Sequence, residues 1–397
     1  MTANRVLSSI TGAFFRRLAP GDRFDRRKAS SARSSSPVDI ATTCGFCSTG
    51  CGLSVRLDAN GSPVLTPARS HPVNLGCACP KGWEALRVLD SPERATRPLL
   101  RDADGVLRPI SWPEAFEAFV AGFRRIVRDH GPESVAFIGT GQITTEEIAF
   151  MGALAKFGLG FRHGDSNTRQ CMATAVAAYK ECFGFDAPPY AYADLEESDL
   201  VVLIGSNLAI AHPILWERLL RNRRGARVVV IDPRRTETAA FADSHLALRP
   251  KTDLALLYGL AHVLIREGWH DRDFVAEHTN GFEDFRRHVE RFSPDRVAIE
   301  TGIPEPRILE LARAIHESER ASFWWTMGVN QSYDGVRTAQ AVIALALLTG
   351  HIGRPGTGPN AITGQCNAMG ARLFSNTSSL IGGRSFDDPA HRAEVAR

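Results

Sequence analysis

The sequence lacks a long apolar run. Nowhere in its 397 residues do about 18 apolar residues follow one another, so no membrane-spanning helix is predicted. It also lacks a strong charge of either sign, since 47 Lys and Arg stand against 44 Asp and Glu. Eight of the basic residues and only two acidic ones lie within residues 1–36, which leaves the rest of the chain slightly acidic and argues against a basic nucleic-acid-binding platform. No G-x-G-x-x-G pattern follows a predicted strand, so an ordinary NAD site is not indicated either.

What is present is the composition of a globular protein, 44% hydrophobic and 23% charged, in a length that predicts two or three domains. Residues 1–37 form a basic leader rich in Arg and Ser, which we expect to be disordered. Its short apolar patch, residues 13–15, precedes Arg16 and Arg17, whereas an export signal places its charges before a longer apolar region. We therefore predict a cytoplasmic protein.

Cysteine is the most informative residue type. Five of the eight cysteines lie within 36 residues, at positions 44, 47, 51, 77 and 79, whereas those at 171, 182 and 366 are scattered. In a chain without an export signal, such a cluster indicates metal ligation rather than disulfides. Cys44, Cys47 and Cys51 follow the spacing C-x2-C-x3-C, and the glycines between them let the backbone curl around a compact cluster.

A [4Fe–4S] cluster is the preferred interpretation of these cysteines, with zinc and simple packing as alternatives. Zinc usually takes its ligands as two short pairs across a longer loop. A triplet with a distant fourth ligand is more typical of an iron–sulfur cluster. The fourth ligand must come from Cys77 or Cys79, and spacing alone does not decide between them.

Beyond the cysteines, short β-branched runs alternate with segments of helical periodicity. The predicted strands are Ser134–Ile138, Leu200–Ile204, Arg227–Ile231, His245–Leu248 and Ser322–Thr326. Predicted helices begin after the N-cap Ser111 and after Ala211, and cover Leu254–Glu267 and Val336–Leu348. This alternation predicts an α/β fold with a doubly wound, Rossmann-like parallel sheet. Each strand ends in Gly, Asn, Gln, Asp or Thr, which suits a large polar ligand bearing phosphates at the carboxyl edge of the sheet.

Several motifs follow one another in a fixed order. They are the cysteine cluster with C-P-K-G, then N-T-R-Q-C-M, G-S-N-L-A-I-A-H-P, D-P-R-R-T-E-T, M-G-V-N-Q and T-G-Q-C-N-A-M-G-A-R. From about residue 40 to its end, the chain resembles the molybdopterin oxidoreductases of the dimethyl sulfoxide reductase superfamily. Within that superfamily it is most similar to the cytoplasmic assimilatory nitrate reductases and, a little less, to the periplasmic ones.

The resemblance implies two cofactors, a [4Fe–4S] cluster and molybdenum bis(molybdopterin guanine dinucleotide). It assigns the cluster to Cys44, Cys47, Cys51 and Cys79, and the molybdenum to Cys171. It implies that Lys81 assists electron passage from cluster to pterin and that Arg372 draws nitrate towards the metal, beside Met172. The positions that match dinucleotide contacts are Gln142, Asn167, Gly205, Ser206, Asn207, Asp232, Thr236, Lys251, Asp253, Met327, Gln331 and Gln365.

Without the resemblance these residues would be interpreted differently. Cys171 alone would be taken as an inert buried cysteine, and Arg372 as a surface arginine. His212 remains open between a structural residue at a helix start and a ligand. Cys366 stands where the family usually has proline, which places an extra thiol near the expected pterin.

The resemblance also implies a domain order. Residues 38–95 would form the [4Fe–4S] domain, residues 134–319 a Rossmann-like domain, and residues 96–133 with 320–397 a second, partial α/β domain. Such enzymes continue into a carboxy-terminal domain that closes over the dinucleotides, and nothing in this sequence, which ends at Arg397, resembles it.

The predicted function is reduction of nitrate to nitrite by oxygen-atom transfer, with electrons delivered through the cluster from a flavoprotein or ferredoxin-like donor. One alternative is a formate dehydrogenase of the same superfamily, although those enzymes usually have His where this chain has Met172. The other is a non-catalytic iron–sulfur electron-transfer module.

Overall fold

The computed structural model describes residues 39–186, 188–375 and 388–395, so the predicted leader, residues 1–37, lies outside the described residues. The strands β1 to β12 are, in chain order, Ile40–Thr43, Gly52–Leu57, Pro63–Pro67, Leu99–Arg101, Leu107–Pro109, Ala136–Gly139, His163–Ser166, Leu200–Ile204, Arg227–Ile231, Ser244–Leu246, Ala321–Trp325 and Gly358–Ala361. The helices α1 to α17 are, in chain order, Pro80–Trp83, Trp112–His130, Thr145–Ala153, Arg169–Phe183, Asp194–Glu197, Leu208–Ala211, Pro213–Leu220, Glu237–Phe241, Asp253–Arg266, Arg272–His278, Phe282–Val289, Pro294–Thr301, Glu305–Glu317, Met327–Asn330, Gly335–Leu348, Ala368–Phe374 and Pro389–Val395.

The amino-terminal unit is a three-stranded antiparallel sheet in the order β1-β2-β3, with Thr43 opposite Gly52. The buried side chain of Asn74 closes it, accepting a 2.8 Å hydrogen bond from the Gly52 amide and donating to the Cys77 carbonyl at 2.7 Å. Its small core includes Ile214 of α7. The cysteine-bearing unit is therefore packed against the larger body of the protein.

A five-stranded parallel sheet in the order β10-β9-β8-β11-β12 forms the main body. All residues of β8 and β11 are buried, as expected for central strands covered on both faces. On one face Val202 and Ile204 join a core with α4, α9, α13 and α15, and on the other Val201 and Leu203 pack with α7. The predicted doubly wound α/β fold is confirmed.

A smaller unit surrounds the two-stranded parallel sheet of β6 and β7. Helix α2 begins with the predicted capping box, in which Ser111 and Glu114 bond reciprocally. Helix α2 buries none of its residues, and with β6 and α3 it borders an apolar groove of about 810 Å³. Among the described residues, no helix combines the length and apolar character needed to cross a membrane.

The predicted domain limits do not follow the sheets. Residues 321–325 and 358–361, assigned from the sequence to the partial second domain, are strands of the main sheet. The strand at residues 136–139, assigned to the Rossmann-like domain, pairs instead with β7 in the smaller unit. An apolar run predicts a strand but does not predict which strand it pairs with. The exposure of this strand also differs from the prediction, since Ile138 is 80% exposed although the apolar sequence around it indicated a buried strand.

Candidate functional site

The loops that follow β8 and β11 interlock at the carboxyl edge of the main sheet. Gly205 has a φ of +52°, and a Cβ atom there would lie 2.7 Å from the Gly328 Cα. The Gly205 carbonyl accepts from the Gly328 amide at 3.2 Å and from the Thr326 hydroxyl at 2.7 Å. Only glycine fits at both positions, so the two loops pack directly against each other through their backbones. They form the base of a cleft at this edge of the sheet.

Cys171 reaches this edge from the first turn of α4. The helix is interrupted at Met172, whose backbone has non-helical angles (φ −132°, ψ 18°) and whose side chain is buried. The Cys171 sulfur lies 3.5 Å from the Met327 sulfur and 3.6 Å from the Thr363 hydroxyl oxygen. The predicted metal thiolate therefore lies beside Met327 and Thr363, whereas the Met172 side chain belongs to the hydrophobic core.

Arg372 lies near Cys171 but is not free. Its guanidinium pairs with the Asp186 carboxylate at 2.9 Å, and the two side chains are only 14% and 15% exposed. Burial lowers the pKa of Arg372, while the negative charges of Asp186 and then of Cys171 oppose that shift. The buried Nε and Nη1 atoms of Arg372 have no hydrogen-bond partner in the protein, which leaves donors available for an anion.

The predicted cluster ligands Cys47 and Cys79 lie close enough to Cys44 and Cys51 for their charges to act on both. Cys44 and Cys51 are buried, and burial followed by thiolate repulsion raises the pKa of both, that of Cys51 to about 12. The repelling thiolates include Cys47 and Cys79 in both cases. The Cys77 sulfur instead accepts a 3.1 Å contact from Arg221. Within the described residues no three His, Cys, Asp or Glu side chains are placed to bind a single metal ion.

The cysteine unit is joined by polar contacts to the segment after β6 and to α6. Gln142 donates to the Gly45 and Phe46 carbonyls at 3.5 and 3.4 Å, and Lys81 donates to the Ile210 and Ala211 carbonyls at 3.2 and 3.4 Å. Lys81 thus links the cysteine unit to the end of α6.

His212 joins the same two regions. It is 2% exposed and its Nε2 atom donates to the Thr363 carbonyl at 2.8 Å, with the Ser48 hydroxyl 3.4 Å away. Burial lowers the pKa of His212, with a small further contribution from Lys81. A neutral histidine bonded to a carbonyl is a structural link, which favours the structural interpretation for this residue.

The predicted dinucleotide residues occupy the loops after β8 and β9. Asn207 accepts from the Thr238 hydroxyl at 2.7 Å and donates to Glu237 at 2.7 Å, while Thr236 caps the same helix, α8. The Ser206 hydroxyl is fully buried without a partner.

A second group of predicted dinucleotide residues lies near the end of β9. Burial and the neighbouring Asp232 raise the pKa of Asp253. Lys251 adopts the left-handed region at φ +68° and places its ammonium 5.6 Å from the ring centre of Tyr333. A non-glycine residue held in that region is a strained position of the kind found at ligand sites.

Three amides complete the predicted set. Asn167 accepts from the Gly141 amide at 3.2 Å and Gln331 donates to the Gln170 carbonyl at 2.7 Å, whereas the Gln365 Oε1 atom is buried without a partner. The extra thiol Cys366 lies beside them, 3.7 Å from the Gly141 carbonyl.

A large polar ligand fits this edge of the protein. Partnerless buried polar atoms in Ser206, Gln365 and Arg372 belong to segments that converge there, and such groups are costly unless a ligand or water bonds to them. The thiols at the amino-terminal unit supply the soft sulfur donors that iron binds. The chemical types of the donors therefore match both implied cofactors.

Two residues of the site were missed by the sequence reasoning. Thr363 belongs to the T-G-Q-C-N motif, so its place beside the site could have been suspected. Asp186 carries no such signal, because a single acid after F-G-F is indistinguishable from a surface carboxylate.

Comparison with protein families agrees with this geometry. The family model described as molybdopterin oxidoreductase matches residues 94–391, and the model described as molybdopterin oxidoreductase Fe4S4 domain matches residues 39–91. The chain belongs to the molybdopterin oxidoreductase family. The resemblance found in the sequence is thereby confirmed, including the iron–sulfur domain at the amino-terminal end.

Several members of the molybdopterin oxidoreductase family are similar over most of the chain. The periplasmic nitrate reductase of Desulfovibrio desulfuricans is 37% identical over 90% of this chain and 49% of its own length. The assimilatory nitrate reductase of Haloferax mediterranei is 39% identical over 90% of this chain and 50% of its own length. Formate dehydrogenase H of Escherichia coli is 33% identical over 90% of this chain and 51% of its own length. The chain therefore spans about half the length of these curated relatives.

A solved structure shows the same architecture. Acetylene hydratase from Pelobacter acetylenicus superimposes with a TM-score of 0.71 at 25% identity, covering 80% of this chain and 44% of that one.

Proposed function

We propose that this chain carries the cluster-binding part and one face of the cofactor site of a molybdenum-dependent nitrate reductase. The observation that carries the proposal is the position of Arg372, with two buried, partnerless N–H groups close to Cys171. Because Asp186 holds the guanidinium through Nη2, the Nε and Nη1 atoms remain as charged donors, and an anion such as nitrate can accept a hydrogen bond from either of them. The reaction is NO3⁻ + 2 e⁻ + 2 H⁺ → NO2⁻ + H2O.

Each site residue has a proposed role. Cys44, Cys47, Cys51 and Cys79 hold the [4Fe–4S] cluster, and Cys171 ligates molybdenum. When bound, the molybdenum cofactor supplies the two-electron, oxygen-accepting chemistry. Arg372 holds nitrate, Met327 walls the pocket, and Lys81 fixes the path between cluster and pterin. The guanine dinucleotides are contacted by Gln142, Asn167, Gly205, Ser206, Asn207, Asp232, Thr236, Lys251, Asp253, Gln331 and Gln365.

The choice of Cys79 over Cys77 as the fourth ligand is supported by contacts. Cys79 lies close enough to Cys44 and Cys51 for its charge to raise the pKa of both thiols. Cys77 is held by Arg221 instead. Cys79→Ser should therefore lose the cluster's iron and visible absorbance, whereas Cys77→Ser, the matched control, should keep about four irons per chain.

The proposed activity is tested with the reconstituted protein. We expect molybdenum and about four irons by metal analysis, nitrite production from nitrate with a reduced viologen dye, and loss of molybdenum in Cys171→Ser but not in Cys182→Ser. Protein that carries molybdenum and makes no nitrite would contradict the proposal. Iron without molybdenum would favour an electron-transfer module.

Formate oxidation is the second candidate, because formate dehydrogenase H of Escherichia coli is 33% identical to this chain. Formate-dependent dye reduction in the same preparation would favour it over nitrate reduction.

The location and the electron donor are also proposals. All eight cysteines lie among the described residues and all are free thiols, which supports a reducing compartment such as the cytoplasm. The proposed donor is a flavoprotein or a ferredoxin-like protein. Cell fractionation and electron-transfer assays with purified donors test these two points.

A further inference from the structure

We propose that Thr363 is a positioning residue for the Cys171 sulfur, donating a hydrogen bond from its hydroxyl that withdraws electron density from the thiolate. The inference rests on the proposed function insofar as Cys171 is taken as the metal thiolate. The contact itself is a property of this chain, so it can be tested with or without the cofactor.

The backbone of Thr363 is fixed by the core of the main sheet. It follows β12, and the β11–β12 ladder extends one residue further through a 2.9 Å hydrogen bond from the Ile362 amide to the Trp325 carbonyl. Both Ile362 and Trp325 are buried, so this bond has no competition from water. The next residue, Thr363, has little freedom to move along the strand direction.

The carbonyl of Thr363 faces the cysteine unit. It accepts hydrogen bonds from the His212 Nε2 atom at 2.8 Å and from the Ser48 hydroxyl. Ser48 follows Cys47 directly, so one peptide group anchors the cysteine loop to the end of β12. Two donors on one carbonyl also fix the orientation of the Thr363 peptide plane.

The side chain of Thr363 reaches towards the metal thiolate, with its Oγ1 atom 3.6 Å from the Cys171 sulfur. A thiolate, free or bound to a metal, carries no proton, so the hydroxyl must be the donor. The other close neighbour of this sulfur is the Met327 thioether at 3.5 Å, which has no hydrogen to donate. Hydrogen bonds to ligand sulfurs are among the protein's levers on a metal centre.

The size of the effect follows from the loss of one hydrogen bond to the reactive sulfur. That bond stabilises the thiolate but also lowers its nucleophilicity, so the two effects partly offset each other and the net change in reaction rate is about twofold to threefold. Removal of the hydroxyl should therefore slow alkylation of Cys171.

The first experiment measures alkylation of Cys171 by iodoacetamide in the cofactor-free full chain, followed by peptide mass spectrometry. Thr363→Val and Thr363→Ala should each react about two to three times more slowly than the parent, and Thr363→Ser should match it. Thr349→Val is the control, since Thr349 donates to the Leu345 carbonyl instead. An unchanged rate in both Thr363→Val and Thr363→Ala, or a Thr363→Ser rate as slow as theirs, would overturn the proposal.

The second experiment uses the molybdenum-loaded protein. Loss of the hydrogen bond strengthens sulfur donation and so favours the oxidised metal, which predicts a more negative molybdenum midpoint potential for Thr363→Val in a titration followed by paramagnetic resonance. Thr363→Ser should keep the parent potential, and an unshifted potential in Thr363→Val would count against the proposal. Absence of nitrite production with the alkylation difference intact would reject the proposed function and leave the role of Thr363 standing.

Discussion

Replacement of Asp186 by asparagine should destabilise the protein strongly, because it leaves Arg372 buried without a counterion. In the folded protein the Arg372–Asp186 pair is 2.9 Å long and both side chains are at least five-sixths buried. The asparagine keeps the shape of the side chain and removes only its charge. The substitution therefore isolates the electrostatic contribution of Asp186.

The magnitude follows from the burial of the pair. Removing one partner of a buried ion pair costs about 3–5 kcal/mol, whereas exposed pairs contribute about 0–1 kcal/mol. Because a small part of each side chain remains in contact with solvent, we expect a loss of about 3 kcal/mol in the free energy of unfolding. That corresponds to an approximately 150-fold change in the folding equilibrium.

Urea denaturation followed by tryptophan fluorescence measures this loss, since Trp324 and Trp325 lie in the core of the main sheet. The control is Asp284→Asn, because Asp284 and its partner Arg287 are 80% and 64% exposed. The control should change the free energy of unfolding by less than about 1 kcal/mol. If Asp186→Asn is no more destabilising than the control, the buried pair does not hold Arg372 in the way argued above.

Three further outcomes are expected. Without the cluster, the protein should lose stability as the pH rises from 9 towards about 12, because Cys51 keeps its proton in the folded state while an unfolded thiol loses it. Urea denaturation midpoints measured across this pH range should therefore fall less in Cys51→Ala than in the parent. Burial lowers the pKa of His351, so the free energy of unfolding should decrease as the pH falls below about 6.5, by up to about 1.4 kcal/mol per pH unit. In His351→Gln the free energy of unfolding should depend less on pH in this range. Arg218→Ala should expose the cysteine unit to proteolysis, because Arg218 donates to the Pro72 and Val73 carbonyls at 2.7 and 2.8 Å. The control is Arg223→Ala, at an exposed arginine nearby, which should leave the cleavage pattern unchanged.

The main sheet was largely predictable because its strands are continuous apolar runs. The prediction of Leu200–Ile204 and Arg227–Ile231 matches the observed strands, and the helix predicted at Val336–Leu348 begins one residue earlier. The strand Gly358–Ala361 was missed, since G-P-N-A has neither β-branched residues nor alternation. These residues form a strand because they are buried against β11, and a local sequence pattern carries no information about that contact.

The candidate site was predictable only where motifs mark it. Cys171 and Met327 meet although 156 residues separate them, and both lay in recognisable motifs. The pairing of Arg372 with Asp186 could not be foreseen, because a sequence gives no sign of which carboxylate will face a given guanidinium. The same limit applies to Thr363, whose hydroxyl and carbonyl contact different parts of the protein.

The mutual contact of Gly205 and Gly328 has a consequence for assembly. Because the two backbones are in direct contact, neither loop has space to move towards the other, and the base of the cleft is complete once the sheet has folded. A cofactor then binds in a cleft that is already formed, and it enters from the open side. Folding of this edge of the sheet and binding of a cofactor are in that case separate events.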